Sequence, residues 1–130
     1  MLYIGKIDGK KLGKYKDKIL TEIVILTTER KKHILEHHPG DYENYHMYIK
    51  EILKNPDYII DDAKNKDTVL YLKSLQENKK NIQIVVKLNT NQINNGKYNS
   101  IITLWKMKTN TYKQLIRNKE IIYSILDKNE

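Results

Sequence analysis

The chain has 130 residues and a formal net charge of +8, from 24 Lys and Arg against 16 Asp and Glu. Because this length supports one hydrophobic core and 39% of the residues are hydrophobic, we expect a single folded domain over residues 1–130. The sequence has no Cys, which excludes a disulfide scaffold, a thiol nucleophile and a thiolate zinc site. No apolar run is long enough to span a membrane and the Lys-rich start lacks a signal-peptide apolar segment, so we expect a cytoplasmic protein without a membrane partner.

The first half of the chain is predicted to hold two strands and then two helices. The segment YIGKI and residues 21–27, which are rich in β-branched side chains, have the pattern of short strands. Thr27 or Thr28 can cap a helix over TERKKHILEHH, which Pro39 ends. Asp41 can cap a second helix that ends at Asn55-Pro56, since its apolar residues recur at spacings of three and four. These residues are Tyr45, Tyr48, Ile49, Ile52 and Leu53.

The second half of the chain alternates between apolar and polar residues, which predicts strands. YIIDD, TVLYLKSL, IQIVVKL and SIITLWKM are separated by turn-forming segments, the last of them Asn-rich over residues 89–99. Thr109 or Asn110 can cap a last short helix that runs through Arg117. The segment KEIIYSIL is either a strand or a helical end, and its pattern favours a strand. Because strand and helix do not alternate regularly, we expect an α+β fold. Its N-terminal helices should pack on one face of a four-stranded or slightly larger antiparallel sheet.

The charge excess comes from 22 Lys and only 2 Arg. Lysine ammonium groups bind a phosphate backbone by releasing its counterions, so a nucleic acid or another polyanion is the expected partner. Ten Tyr and one Trp can stack on bases, although an AT-rich genome also produces this composition.

The first predicted helix carries the densest group of chemically active side chains. Arg30, His33 and His37 are spaced i, i+3 and i+7, which places them on one helix face. A neutral imidazole can take a proton from a 2′-hydroxyl, an imidazolium can return one to the leaving 5′-oxygen, and a guanidinium can hold the phosphate. His38 is interpreted as solvated or as facing the negative end of the helix dipole.

Two of the predicted strands carry further candidates. The alternation of IQIVVKL places Lys87 on the face opposite the fully apolar one. In SIITLWKM, Thr103 and Trp105 are predicted to share a face with Ile101 and Met107, with Ser100 on the other face unless a bulge resets the phase. Thr103 can bond a phosphate oxygen, and Trp105 can either stack on a base or belong to the core.

Two metal-dependent alternatives follow from local motifs. His33, Glu36 and His37 spell H-x-x-E-H, an inverted zinc-protease motif, but such domains are much larger than this chain. Asp57, Asp61 and Asp62 with Lys87 invite comparison with restriction-type nucleases. Those enzymes place an acidic residue two positions before the catalytic Lys, where this chain has Val85.

The segments ILTTERKKHILEHHP, NPDYIIDD, VLYLK, IQIVVKL, NSIITLWKM and NKEIIY occur in this order. In this series the chain resembles the phage-associated branch of the barnase, EndoU, colicin D and RelE-like nuclease superfamily, with a nuclease-like core over about residues 22–124. The most specific pieces are T-x-x-R-x-x-H-I-x-x-x-H and S-I-I-T. The resemblance implies two helices on a four-stranded antiparallel sheet, and RNA cleavage without a metal or another cofactor.

The resemblance also suggests site residues. Colicin-like members have a basic residue one helical turn before a His, and a hydroxyl residue near a Trp on a late strand. The matching positions here are Arg30, His33, Thr103 and Trp105. Positions typical of the phage branch are matched by His37, Lys87 and Ser100, and Tyr123 matches a terminal aromatic residue that has either a binding or a structural role.

The leading hypothesis is a toxin-like, metal-independent endoribonuclease that acts on transfer or messenger RNA. His33 would be the general base or acid with His37 as its partner, while Arg30 and Lys87 would stabilise the phosphate. Ser100 and Thr103 would position the phosphate or the 2′-hydroxyl. We expect an acidic inhibitor or immunity protein to cover such a basic site. The alternative is a noncatalytic basic module that binds RNA or an acidic protein, such as a phage or mobile-element regulator.

Overall fold

The computed structural model describes residues 2–76, 79–90 and 97–127. The strands are β1 (Leu2–Lys6), β2 (Ile23–Leu26), β3 (Tyr58–Asp61), β4 (Thr68–Leu75), β5 (Lys80–Lys87), β6 (Asn99–Met107) and β7 (Ile121–Ser124). The α-helices are α1 (Thr28–His37), α2 (Asp41–Tyr45), α3 (Ile49–Lys54) and α4 (Thr109–Asn118). Single turns of 3₁₀-helix occur at Gly9–Lys11, Gly13–Tyr15, His46–Tyr48 and Ile125–Asp127.

The described strands form one mixed sheet in the order β1-β2-β6-β5-β4-β3-β7. Strand β2 runs parallel to β6, and every other neighbouring pair is antiparallel. The predicted α+β class is confirmed, but the prediction of a four-stranded antiparallel sheet is too small. The short strands β1, β2 and β7 extend the predicted four-stranded meander at its two edges. The sequence does not predict this larger sheet, because an alternating pattern identifies a strand but not the strand that pairs with it.

The main hydrophobic core lies on the sheet face covered by α1, α2 and α3. Strand alternation turns Ile82, Ile84 and Val86 of β5 into this core, where all three are fully buried. The helices contribute the fully buried Ile34 and Ile52 from the opposite side. The predicted packing of the N-terminal helices on one sheet face is therefore what the structure shows.

The last helix, α4, packs on the opposite face of the sheet, where helices were not expected. Tyr112 of α4 joins Ile60, Leu72 and Val85 in a second buried cluster. Strand β4 accordingly has no exposed residue from Thr68 to Leu72, as in a central strand covered on both faces. The sheet is thus a middle layer between α1, α2 and α3 on one face and α4 on the other.

The segment predicted as one helix from Asp41 to Asn55 is two short helices, α2 and α3, joined by the 3₁₀ turn His46–Tyr48. Tyr45 and Ile49 on either side of that turn are both buried in the main core. The turn therefore leaves the apolar spacing intact, which is why the sequence pattern does not distinguish it from a continuous helix.

The segment between β1 and β2 crosses to the far edge of the sheet. Tyr15 Oη donates to Asp61 Oδ1 at 2.5 Å, and Lys14 Nζ lies 3.2 Å from both Asp61 Oδ2 and Glu120 Oε1. Burial, followed by the Asp61 carboxylate, raises the pKa of Tyr15. Gly13 permits this path because its φ is +52° and an added Cβ would lie 3.0 Å from Ile122 Cγ2.

The predicted Asn-rich turn over residues 89–99 lies partly outside the described residues, which omit 91–96. The C-terminal strand predicted in KEIIYSIL is confirmed as β7. Across the described ranges, the helices are too short or too polar to traverse a lipid bilayer.

Candidate active site

A cavity of about 200 Å³ opens where the start of α1 meets the ends of β5 and β6. One wall comes from the start of α1, and the rest comes from three residues of β5 and β6 and from two residues of the segment between those strands. Its lining residues are Thr27, Arg30, Lys87, Leu88, Tyr98, Ser100 and Ile102. We refer to this cavity as the cleft.

The parallel pairing of β2 with β6 places α1 beside the cleft. This pairing involves only Asn99 and Ser100 of β6, so the chain leaves the sheet after Leu26 and α1 packs along the rest of that strand. The Thr27 side chain caps α1 by accepting from Arg30 N–H at 3.1 Å. With Ile34 of α1 fixed in the main core, Arg30 is held at the wall of the cleft.

The register of β5 and β6 brings the opposite wall together. Lys87 lies directly across the ladder from Ser100, on the sheet face opposite the main core. The register shifts between Val85 and Val86, which leaves Ile102 as an extra residue in β6. This bulge therefore resets the alternation of side chains between the two faces of β6.

The same bulge corrects the predicted faces of β6. Ile101 faces the main core, whereas Ile102, Trp105 and Met107 belong to the second cluster. Thr103 pairs with Val85, which faces the second cluster. The prediction that Thr103 and Trp105 share a face with Ile101 is therefore wrong, because a strict alternation does not allow for an inserted residue.

The cleft is positively charged. Among the residues that the structure describes, its lining contains the Arg30 guanidinium and the Lys87 ammonium but no carboxylate. Lys87 Nζ donates one hydrogen bond of 2.6 Å to Lys66 O, which leaves two donors for a ligand. The hydroxyls of Thr27, Tyr98 and Ser100 add polar groups, and the positive end of the α1 dipole lies at Thr27. This combination suits an anionic oxygen such as that of a phosphate.

The two candidate imidazoles lie beside the cleft rather than in its lining. The rings of His33 and His37 are 4.2 Å apart between centroids, and both residues are exposed. Three residues of α-helix separate His33 from Arg30, a rise of about 4.5 Å along the axis. His33 therefore lies about one helical turn beyond Arg30 and His37 about two turns beyond it, both on the exposed flank of α1.

The other predicted residues have different surroundings. The Thr103 hydroxyl is buried and has no hydrogen-bond partner among the described residues. Trp105 packs on the second cluster and stacks on His38 at 5.1 Å, so His38 is not simply solvated. Tyr123 lies on β7 at the far edge of the sheet, with Lys11 Nζ 5.2 Å from its ring, and is not brought to the cleft.

Sequence reasoning missed Thr27 as a cleft residue, and it missed Tyr98 and Asn99 altogether. Thr27 was considered only as a cap. Asn99 is fully buried: its Oδ1 accepts from Asn89 N–H at 2.8 Å, and its Nδ2 donates to Thr21 O and Ile23 O at 2.9 and 3.0 Å. The Asn-rich stretch around it gave no signal that one of its amides is structural.

The carboxylates of the restriction-type alternative are engaged in the fold. Asp57 Oδ2 accepts from Ser74 N–H, Asp61 binds Tyr15 and Lys14, and Asp62 accepts from its own turn. Over the described ranges, no three His, Asp or Glu side chains are grouped so that they could hold a metal ion.

Comparison with known proteins gives one family. The model of PBECR2, described as phage-Barnase-EndoU-ColicinE5/D-RelE like nuclease2, matches residues 3–124. No curated protein and no solved structure matches the chain. The matched residues include α1, β5 and β6, and hence both walls of the cleft. The chain therefore belongs to the PBECR2 family of phage-associated, barnase-, EndoU-, colicin- and RelE-like nucleases.

Proposed function

We propose that this nuclease is a metal-independent endoribonuclease that cleaves by attack of a 2′-hydroxyl on the adjacent phosphate. The observation that carries the proposal is the cleft, where Arg30, Lys87 and Ser100 line one small cavity and no described lining residue is a carboxylate. A phosphodiester entering it would meet two cations and several hydroxyl donors. Family membership supports the nuclease activity, and the choice of RNA rests on the neighbouring imidazoles.

The cations have a defined task in this reaction. As the 2′-oxygen attacks, negative charge grows on the non-bridging oxygens of the phosphorus. The Arg30 guanidinium and the Lys87 ammonium would stabilise that charge, and the Ser100 hydroxyl would donate to one of the oxygens. Because Lys87 is already held by Lys66 O, its charge needs little reorganisation when the substrate binds.

The proton transfers are assigned to the histidine pair. One imidazole of His33 and His37 would accept the 2′-hydroxyl proton, and the other, as imidazolium, would donate a proton to the departing 5′-oxygen. The products would be a 2′,3′-cyclic phosphate and a free 5′-hydroxyl. DNA lacks the 2′-hydroxyl, so the same groups would leave it intact.

The experiment is cleavage of total RNA by the purified protein in excess EDTA, with the new ends identified chemically. Arg30→Gln, Lys87→Met and His33→Gln should each lower the rate by roughly 10² to 10³. Lys32→Gln is the matched control for the helix cations, since Lys32 is exposed on α1 and does not line the cleft. His46→Gln serves the same purpose for the imidazole. Both controls should retain the wild-type rate.

Three results would refute the proposal. Cleavage that stops in EDTA would show that the reaction needs a metal. RNA that stays intact across the pH range, with protein shown to be folded, would leave a noncatalytic RNA-binding module as the better description. Fragments ending in 3′-hydroxyls would likewise contradict attack by the 2′-hydroxyl.

A further inference from the structure

A second and larger concavity, of about 760 Å³, lies between the edge strand β1 and helix α3. We name it the lysine groove after the five lysines in its lining, which are Lys6, Lys10, Lys11, Lys50 and Lys54. Tyr3 forms part of its wall and is 61% exposed. The proposed reaction does not use this surface.

The lysine groove has a net positive charge, since five lysines and only two carboxylates line it. Its lining contains two carboxylates, and both accept from backbone N–H groups. Asp8 Oδ1 accepts from Lys10 N at 3.0 Å, and Glu22 Oε2 accepts from Gly9 N at 2.7 Å. Among the described residues, neither carboxylate forms an ion pair with a lysine of the groove. The groove therefore presents an excess of ammonium groups to solvent.

The lysines are arranged along the groove rather than scattered. Lys50 and Lys54 are four residues apart on α3, a separation of about 6 Å along the axis. The Lys50 stem lies close over β1, where an added Cβ on Gly5 would be 3.3 Å from Lys50 Cγ. Lys11 Nζ donates to Lys54 O at 2.8 Å, which fixes the end of α3 against the segment after β1. Lys6 of β1 also lines the groove, next to Gly5.

The lysine groove and the cleft are separate sites on one molecule. Strand β2 lies between β1 and β6, so β1 is about 10 Å from the strand that carries Ser100. Helix α3 packs on the main-core face, whereas Lys87 and Ser100 project from the other face. A ligand that reaches both sites must be several nucleotides long and pass around this end of the sheet.

We propose that the lysine groove is a second binding site for single-stranded RNA, which holds substrate phosphates remote from the cleavage point. The substrate class rests on the proposed function. Lysine is a compact charge suited to phosphate, and the exposed Tyr3 ring offers a stacking surface for a base. An acidic polypeptide would use the charges but has no base to place on Tyr3, so RNA matches more of the groove.

The test measures binding without relying on cleavage. The probe is a fluorescent oligouridine of about 16 nucleotides whose 2′-hydroxyls are all methylated, titrated at several salt concentrations. Lys6, Lys50 and Lys54 are changed together to Gln. The matched control changes Lys16, Lys113 and Lys119 to Gln, since these are exposed and lie outside both sites. Both variants lose the same net charge.

Loss of three phosphate contacts should reduce the slope of log K against log salt by about 2 in the groove variant, with little change in the control. Tyr3→Leu should weaken binding about tenfold through loss of stacking. Cleavage of a dinucleotide, which is too short to reach the lysine groove, should proceed at the wild-type rate in the groove variant.

Equal slopes for the groove and control variants would overturn the proposal, because binding would then follow net charge alone. If the groove variant binds RNA as the wild type does but no longer binds a poly-glutamate peptide, the proposal is overturned and the groove is a site for an acidic protein partner. A protein that cleaves nothing, yet binds the probe through the groove, would refute the proposed function and leave this site standing.

Discussion

Replacement of Asn99 by Ala is expected to destabilise the protein more than any surface change. The Asn99 side chain is fully buried and joins three segments, since it bonds Asn89 after β5 and two carbonyls at the start of β2. It also stands immediately before Ser100. Removing the amide therefore affects both the fold and the geometry of the cleft.

The magnitude follows from the three hydrogen bonds. Loss of the buried bond from Asn89 N–H to the Asn99 side chain costs about 2 kcal/mol, and each lost bond to a carbonyl costs about 1 kcal/mol. The sum is about 4 kcal/mol, a large fraction of the 5 to 15 kcal/mol typical of a domain.

Asn99→Asp keeps the shape of the side chain but turns a carboxylate oxygen toward the carbonyls of Thr21 and Ile23. That variant should lose stability further as pH rises from about 4, where the carboxyl is protonated, toward neutrality.

Urea denaturation followed by Trp105 fluorescence measures these changes at pH 4.5 and pH 7. Asn44→Ala is the matched control, because Asn44 is exposed on α2 and its replacement should change stability by less than about 0.5 kcal/mol. A loss for Asn99→Ala no greater than that of Asn44→Ala would refute the structural role. Equal stability of Asn99→Asp at both pH values would refute the contact with the two carbonyls.

Two further changes test buried hydroxyls. Burial raises the pKa of Tyr112 to about 12, so its stabilising contribution is complete below about pH 10 and is lost as pH rises toward 12. Urea titrations between pH 10 and 11.5 should show Tyr112→Phe losing about 1 kcal/mol less per pH unit than the wild type, and parallel curves would contradict this. Thr103→Val removes a buried hydroxyl without a partner among the described residues, so the free energy of unfolding should rise by about 1 kcal/mol. A fall in urea midpoint would instead show that the hydroxyl is bonded in solution.

Periodicity predicts the individual elements of this fold well. The apolar positions of β5 and the cap, length and end of α1 follow from local chemistry that the sequence displays. Strand order does not follow from it, because the pairing of Val24 with Asn99 depends on residues far apart in the chain. The placement of α4 on the second face depends on Val85 and Leu72 being apolar there, which a strand pattern with one polar face does not predict.

The candidate site was predictable in part for the same reason. Arg30, Lys87 and Ser100 were identified separately, and the structure places them around one cleft. The bulge at Ile102 decides which way Ser100 points, and nothing local in SIITLWKM requires it. Tyr123 was assigned from resemblance alone, and only the sheet order reveals how far β7 lies from β6.

The residues that line the cleft lie far apart in the sequence, and this has a consequence for synthesis on the ribosome. Arg30 is made 70 residues before Ser100, an interval of roughly 4 to 14 s at 5 to 20 residues per second. The parallel pairing that seats α1 needs Asn99 and Ser100, so neither that contact nor the cleft exists in the nascent chain until β6 has emerged. The growing polypeptide therefore carries Arg30 and the rest of α1 without an assembled cleft until β6 becomes available for pairing.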